Sequence, residues 1–161
     1  MRIGVVSDTH NHLRNVERIV DLFHAADVEC VIHTGDITQP KTLTALSALR
    51  IPLYGVYGNN DLEREDLERA AHEYGMTLRD PPFPLLLASR RIVVVHDPRE
   101  LARVAAGSFE VALHGHIHRR MIERAGGRLI FNPGECAGHL PGHNAVGVVD
   151  LASLDTEILK F

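Results

Sequence analysis

Cysteine, positive charge and long apolar runs are all scarce in this chain, and each scarcity removes a class of protein. The only cysteines are Cys30 and Cys136; their spacing fits neither a zinc site nor a redox pair, and two thiols make no disulfide framework. A reduced, cytoplasmic protein is the expectation. No apolar run approaches the roughly 20 residues of a membrane span. The opening MRIGVVSDTH enters a strand pattern at once, without the layout of a secretory signal. Neither export nor a membrane partner is expected. A net charge of -4 argues against a broad nucleic-acid-binding surface, so any polyanion would need a local site. Also missing are the GxSxG, GxxxxGK[ST] and HExxH patterns, and with them the signatures of a serine nucleophile elbow, a P-loop and a helical zinc protease site.

The 161 residues, 45% hydrophobic and 24% charged, are enough for one globular domain spanning 1–161 with a real core. The first sixty residues alternate in kind. RIGVVSD reads as a buried strand, residues 12 to 26 as an amphipathic helix, CVIHTGD as a strand, residues 40 to 50 as a helix opened by Pro40, and PLYGVYGN as a strand. This βαβαβ order predicts a parallel sheet. Residues 62 to 74 read as a further helix, with Asp61 as its N-cap and Gly75 as its stop. From about residue 83 the pattern turns strand-rich: FPLLLA, RIVVVH, VALHG, RMIERA, RLIFN, AVGVVDL and TEILKF, with one helix near 98 to 106 behind Asp97 and Pro98. Gly126 and Gly127 mark a hairpin. The short connections predict a largely antiparallel second sheet packed on the first.

Position makes the polar residues informative. Asp8, Asp36, Asn59, His96 and the histidines of ALHGHIHRR all fall at or just past the C-terminal ends of apolar strand runs, the edge at which open α/β sheets bind ligands. Together with His10 they form an oxygen and nitrogen set large enough for two divalent ions. Gly35, Gly58 and Gly115 each precede one of these residues, where a small residue permits a sharp turn and a close backbone approach. Other histidines read differently: His33 as a hydrogen-bonded interior ring, His24 and His72 as helix-surface residues, and His139 and His143 as a loop rim. Asn132, heading NPG, fits either a structural turn or a loop at the site's edge.

In order along the chain, DTH at 8–10, GD at 35–36, GNND at 58–61, His96 and GHIH at 115–118 resemble the five motifs of the calcineurin-like metallophosphoesterases. The length and NPGECAG at 132–138 are similar to the small single-domain phosphodiesterases of that superfamily, whose fold is shared with a retromer subunit. The resemblance covers nearly the whole chain. It implies a four-layer αββα sandwich of two packed mixed sheets with helices outside, and a dinuclear centre. One ion would be held by Asp8, His10, Asp36 and His118; the other by Asp36, Asn59, His96 and His116, with Asp36 bridging. Among these, Asp36, Asn59 and His10 are assigned the metal-activating catalytic role; His12 is assigned to substrate contact or to a plain loop role, Asn60 to substrate contact, and His114, which the family motif does not make a ligand, to a satisfied place beside the ligands or in the core.

Mixed carboxylate and imidazole ligands suit manganese, nickel, iron or zinc better than calcium, and similar enzymes often use manganese. Two such ions lower the pKa of a shared water and stabilise a phosphoryl group under attack. The expected activity is therefore hydrolysis of small phosphate esters, diesters foremost. The competing readings are a phosphomonoesterase or pyrophosphatase, and a protein-interaction module on the same fold; a homo-oligomer is compatible with either. Three residues depart from the superfamily pattern. Asn60 stands where many members carry a histidine thought to protonate the leaving group, Asp97 where glycine is frequent, and Gln39 where an acid is common.

Overall fold

The computed structural model describes residues 1–105 and 107–161. The first sheet has the order β11-β10-β1-β2-β3-β4. Its members are β1 (Arg2–Val6), β2 (Cys30–His33), β3 (Leu53–Val56), β4 (Thr77–Arg79), β10 (Ala145–Asp150) and β11 (Thr156–Lys160). Strands β1 to β4 run parallel, as the alternating opening predicts, while β10 and β11 return antiparallel. The second sheet is β5-β6-β7-β9-β8, from β5 (Phe83–Leu87), β6 (Arg90–Val94), β7 (Val111–Leu113), β8 (Met121–Ala125) and β9 (Arg128–Asn132). It is less antiparallel than expected: β5–β6 and the Gly126–Gly127 hairpin β8–β9 are antiparallel, but β7 is parallel to both neighbours.

Strand alternation decides which residues meet. On β1, Ile3 and Val5 face Ile92, Val94, Val111, Leu113, Leu129 and Phe131 of the second sheet, closing a buried core between the sheets. Val6, with Val31, Val146 and Val148, faces the helices instead. Helix α1 (Leu13–Ala25) buries Val16, Ile19, Val20 and Phe23, one stripe at helical spacing. Helices α2 (Pro40–Leu46) and α3 (Arg64–Glu73) complete that outer layer. The outer layer on the second sheet is thinner, its one helical element among the described residues being a 3₁₀ helix, Pro98–Arg103, shorter than the helix expected over 98–106 and capped by Asp97 as its sequence predicts. Residue 106 of that expectation lies outside the described residues.

One cap is corrected. Helix α3 starts after Glu63, which makes no side-chain capping bond, and Asp61 is drawn away to accept from the backbone N–H groups of Asp36, Thr38 and Gly58. No helix among the described residues is long and apolar enough to cross a membrane.

Candidate metal centre

Seven side chains from five strand ends converge at one edge of the two sheets. Asp8 and His10 follow β1, Asp36 follows β2, Asn59 follows β3, His96 follows β6, and His116 and His118 follow β7. Five of the seven (Asp8, His10, Asp36, His116 and His118) hold a left-handed backbone with φ between 42° and 67°. Each such conformation costs a non-glycine residue of order 1–3 kcal/mol, and strain of this kind concentrates at functional sites. Glycines let the strand ends approach: a Cβ on Gly58 would lie 2.2 Å from Asp36 Oδ1, and one on Gly115 1.8 Å from Ser7 Oγ.

The side chains form two clusters joined by Asp36. In the first, Asp8, His10, Asp36 and His118 each offer one ligand atom, all within 4.8 Å of one another. Asp8 Oδ1 lies 3.4 Å from His118 Nε2, and Asp36 Oδ2 lies 3.4 Å from His10 Nε2. In the second, Asn59 Oδ1 sits 3.0 Å from both His96 Nε2 and His116 Nδ1, which are 3.2 Å from each other. Asp36 Oδ2 is also 3.5 Å from His96 Nε2 and so faces both groups.

These atoms suit a cation better than one another. The Nδ1 of His96 is 2.8 Å from the Thr34 carbonyl, which can only accept, so the ring proton sits there and Nε2 turns a lone pair toward the Asn59 oxygen, another acceptor. On Asp8, Oδ2 accepts from Ser7 Oγ and the His116 N–H, whereas Oδ1 is buried without a hydrogen-bond partner, as is His10 Nε2. Buried polar atoms are seldom left unpartnered. Lone pairs gathered without protons between them are what a divalent ion neutralises.

Electrostatics at Asp8 and His10 support the same reading. Burial pushes the Asp8 carboxyl up, but His118, Ser7 and His96 together outweigh it and hold the group below the ordinary range. Burial lowers His10 against the pull of Asp36 and Asp8, favouring the neutral ring that can ligate. The contact with Asp8 raises His118 despite burial. Asp97 is held down to about 2, first by the Arg99 guanidinium, and its Oδ2 lies 3.7 Å from His116 Nε2, behind the ring and opposite the cluster.

The remaining expected residues sort themselves around this centre. Asn60 donates to Asp36 through both its backbone N–H (2.9 Å) and its side-chain amide (2.8 Å), so it fixes a carboxylate rather than standing free. His12 forms the N-cap of α1, its Nδ1 accepting from Asn15, and joins neither cluster. Gln39 accepts from Asn11. The Asn132 side chain donates to Gly115 O and accepts from Gly134, tying the end of β9 to the histidine loop. The buried His114 is not fully satisfied: Nδ1 contacts Gly115 O, but Nε2 has no partner. His24 and His72 are exposed on α1 and α3, as expected. His139 is closer than a rim: its ring centroid is 5.2 Å from that of His10 and 5.4 Å from that of His118. His143 lines a groove of about 390 Å³ with His118, Arg120 and Leu140. Cys30 and Cys136 are buried free thiols, both pushed up by burial, Cys30 to about 12.

Two features were not anticipated. Glu135 is completely buried and lies 3.4 Å from His118 Nδ1. A cavity of about 670 Å³ opens beside Asn59, His96 and His116, walled by Tyr57, Arg64, Arg99 and Arg103 among others. A single acid inside NPGEC and arginines scattered over forty residues carry no local spacing that marks them in advance.

Comparison with known proteins places this geometry. The calcineurin-like phosphoesterase superfamily domain model matches residues 1–154. Phosphodiesterase MJ0936 of Methanocaldococcus jannaschii is 30% identical over 154 residues, covering 93% of each chain. A solved structure described as a novel archaeal phosphodiesterase superposes with a TM-score of 0.92 at 29% identity over the whole of both chains. Vps29 from Entamoeba histolytica aligns over 100% of this chain and 99% of its own, with a TM-score of 0.69 at 18% identity, a likeness of fold alone.

Proposed function

The chain belongs to the calcineurin-like phosphoesterase superfamily, and on that premise we propose that it is a phosphodiesterase working with two divalent cations. The observation that carries the reading is the convergence of acceptor atoms from Asp8, His10, Asp36, Asn59, His96, His116 and His118, two of them buried without a partner. Asp8, His10, Asp36 and His118 would hold one ion, and Asp36, Asn59, His96 and His116 the other. Bound ions there supply an activated water and offset negative charge on the phosphoryl group.

The chain's own residues prepare this site. Ser7 and the His116 N–H occupy one oxygen of Asp8 and leave the other available; Thr34 does the same for His96 through Nδ1. Asn60 holds both oxygens of Asp36, which limits its rotation. The cavity beside Asn59 and His116 has room for an organic substituent on the phosphate, and its guanidinium groups favour an anionic ester. A diester, with two such substituents, makes fuller use of that space than a monoester. MJ0936 is itself named a phosphodiesterase. An amide at position 60 supplies no proton near neutral pH, so general acid catalysis worth roughly 10²- to 10⁴-fold is absent at that position, and the enzyme favours good leaving groups.

A screen of bis-p-nitrophenyl phosphate, p-nitrophenyl phosphate and a dialkyl phosphate against manganese, nickel, iron and zinc tests the reading. The expected order is aryl diester first, aryl monoester slower, dialkyl ester far slower, with manganese among the activating ions. A faster monoester would make the protein a phosphomonoesterase. No turnover with any ion, in a folded protein, would leave the interaction-module reading.

A further inference from the structure

At the second cluster the far nitrogen of His96, Nδ1, is bonded to the Thr34 carbonyl at 2.8 Å, and that of His116, Nε2, faces Asp97 Oδ2 at 3.7 Å. His118, at the first cluster, meets Glu135 in the corresponding way. Its Nε2 faces Asp8 Oδ1 at 3.4 Å, and its Nδ1 faces Glu135 Oε2, also at 3.4 Å. Glu135 has no exposed surface. Buried carboxylates need compensation, and among the described residues the only ionisable groups within ion-pair distance of Glu135 are imidazoles, those of His118 and His139.

The segment carrying Glu135 is well anchored. The Cys136 N–H donates to Asp8 O and the Ala145 N–H to Glu135 O, which fixes the backbone between β1 and β10. The carboxylate itself accepts from Leu140 N–H at Oε1 (2.9 Å) and from His139 N–H at Oε2 (3.4 Å). Both oxygens therefore act as acceptors, and Oε2 offers His118 Nδ1 an acceptor only. An imidazole that gives its Nδ1 proton to a carboxylate keeps the lone pair on Nε2.

We propose that Glu135 is the positioning residue of the first cation site: by accepting the Nδ1 proton of His118 it commits Nε2 to the ion and holds the ring beside Asp8. The proposal rests on the two-cation reading above. It makes the two sites separable, because Glu135 touches no residue of the second cluster.

Glu135→Gln tests this with little change of shape. The amide retains one acceptor for the loop N–H groups but can present an N–H to His118 Nδ1, which favours the tautomer protonated at Nε2. Calorimetric titration of the metal-free full chain with Mn²⁺ alone should show two ions bound by the unmodified protein. In Glu135→Gln one site should weaken about 10- to 100-fold, with the other within about twofold. Unchanged affinity at both sites in a folded variant overturns the role of Glu135 while leaving the two-cation reading intact, and equal weakening of both overturns its selectivity. Absence of Mn²⁺ binding by the unmodified protein overturns both. If Glu135→Gln does not fold, nitrogen-15 NMR of the unmodified, zinc-loaded protein decides: His118 should show a proton on Nδ1 protected from solvent exchange. A bare Nδ1, or one exchanging at the solvent rate, overturns the assignment.

Discussion

At His33 both ring nitrogens are engaged inside the protein. Nδ1 accepts from the Gly35 N–H at 3.1 Å, so the ring proton is on Nε2, which donates to Thr9 Oγ1 at 3.1 Å. Thr9 Oγ1 in turn reaches Asp36 O at 3.4 Å, so one neutral imidazole joins the loop carrying Asp8 and His10 to the loop carrying Asp36. Burial outweighs the pull of Asp8 and Asp36 and brings the ring from 6.5 down to about 4. The unfolded chain therefore binds more protons than the folded one between pH 6.5 and 4, and the contribution of His33 is complete above 6.5 and is lost as pH falls toward 4. A shift of that size corresponds to roughly 3 kcal/mol. Denaturant unfolding of the metal-free protein at pH 7 and pH 4 should show a loss about 3 kcal/mol smaller in His33→Gln than in the unmodified chain. Equal losses would place the acid sensitivity elsewhere.

Among the elements, the meeting of β7 with β1 and β2 is the tightest constraint on the site. A Cβ on Gly115 would fall 1.8 Å from Ser7 Oγ, 2.8 Å from Asp8 Oδ2 and 2.9 Å from Thr34 Oγ1. Gly115→Ala must therefore push the end of β7 away from the first sheet, carrying His116 and His118 with it. The expected result is a stability loss of about 1–3 kcal/mol, as for an overpacked core position, together with weaker metal binding, read by denaturant unfolding and calorimetry. A variant with native stability and affinity would show that the strand ends are not held this closely. The glycine, the strand-end acids and the paired histidines were legible because each sits beside a run of alternating or continuous apolar residues. Strand β4 was not: three residues, Thr77–Arg79, are too few to show a period. Asp61 looked like the cap of α3, yet two backbone donors from the loop after β2, Asp36 and Thr38, claim it together with Gly58 of its own loop, a choice in which tertiary contacts outweigh the local cap. The direction of β7 was hidden for the same reason, since the connections entering it do not reveal which neighbours it pairs with. Glu135 is the clearest omission, because its partner His118 is distant in sequence and its burial is visible only in the folded chain.

For the whole molecule, the division of ligands between the two sheets is the consequential fact. Asp8, His10, Asp36 and Asn59 follow strands of the first sheet, while His96, His116 and His118 follow strands of the second. Each cluster draws on both: Asp8, His10 and Asp36 meet His118, and Asn59 meets His96 and His116. The apolar core between the sheets holds them along their length, but at this edge the facing groups are lone pairs and carboxylates, which repel. Cations bound there would join the two sheets as a cross-link and remove that repulsion, and they would bind the unfolded chain far less well because its ligands are dispersed. Each ion present at 100 times its dissociation constant then adds about 2.7 kcal/mol to the free energy of unfolding. Thermal unfolding in excess EDTA should therefore begin well below that of the manganese-loaded protein, and the midpoint should rise with free Mn²⁺ concentration. Asp36→Asn, which removes charge at the one carboxylate facing both clusters, should abolish most of that rise, whereas Glu135→Gln should abolish only the part due to one ion. A midpoint independent of metal in the unmodified chain would mean that the two sheets are not joined through this edge.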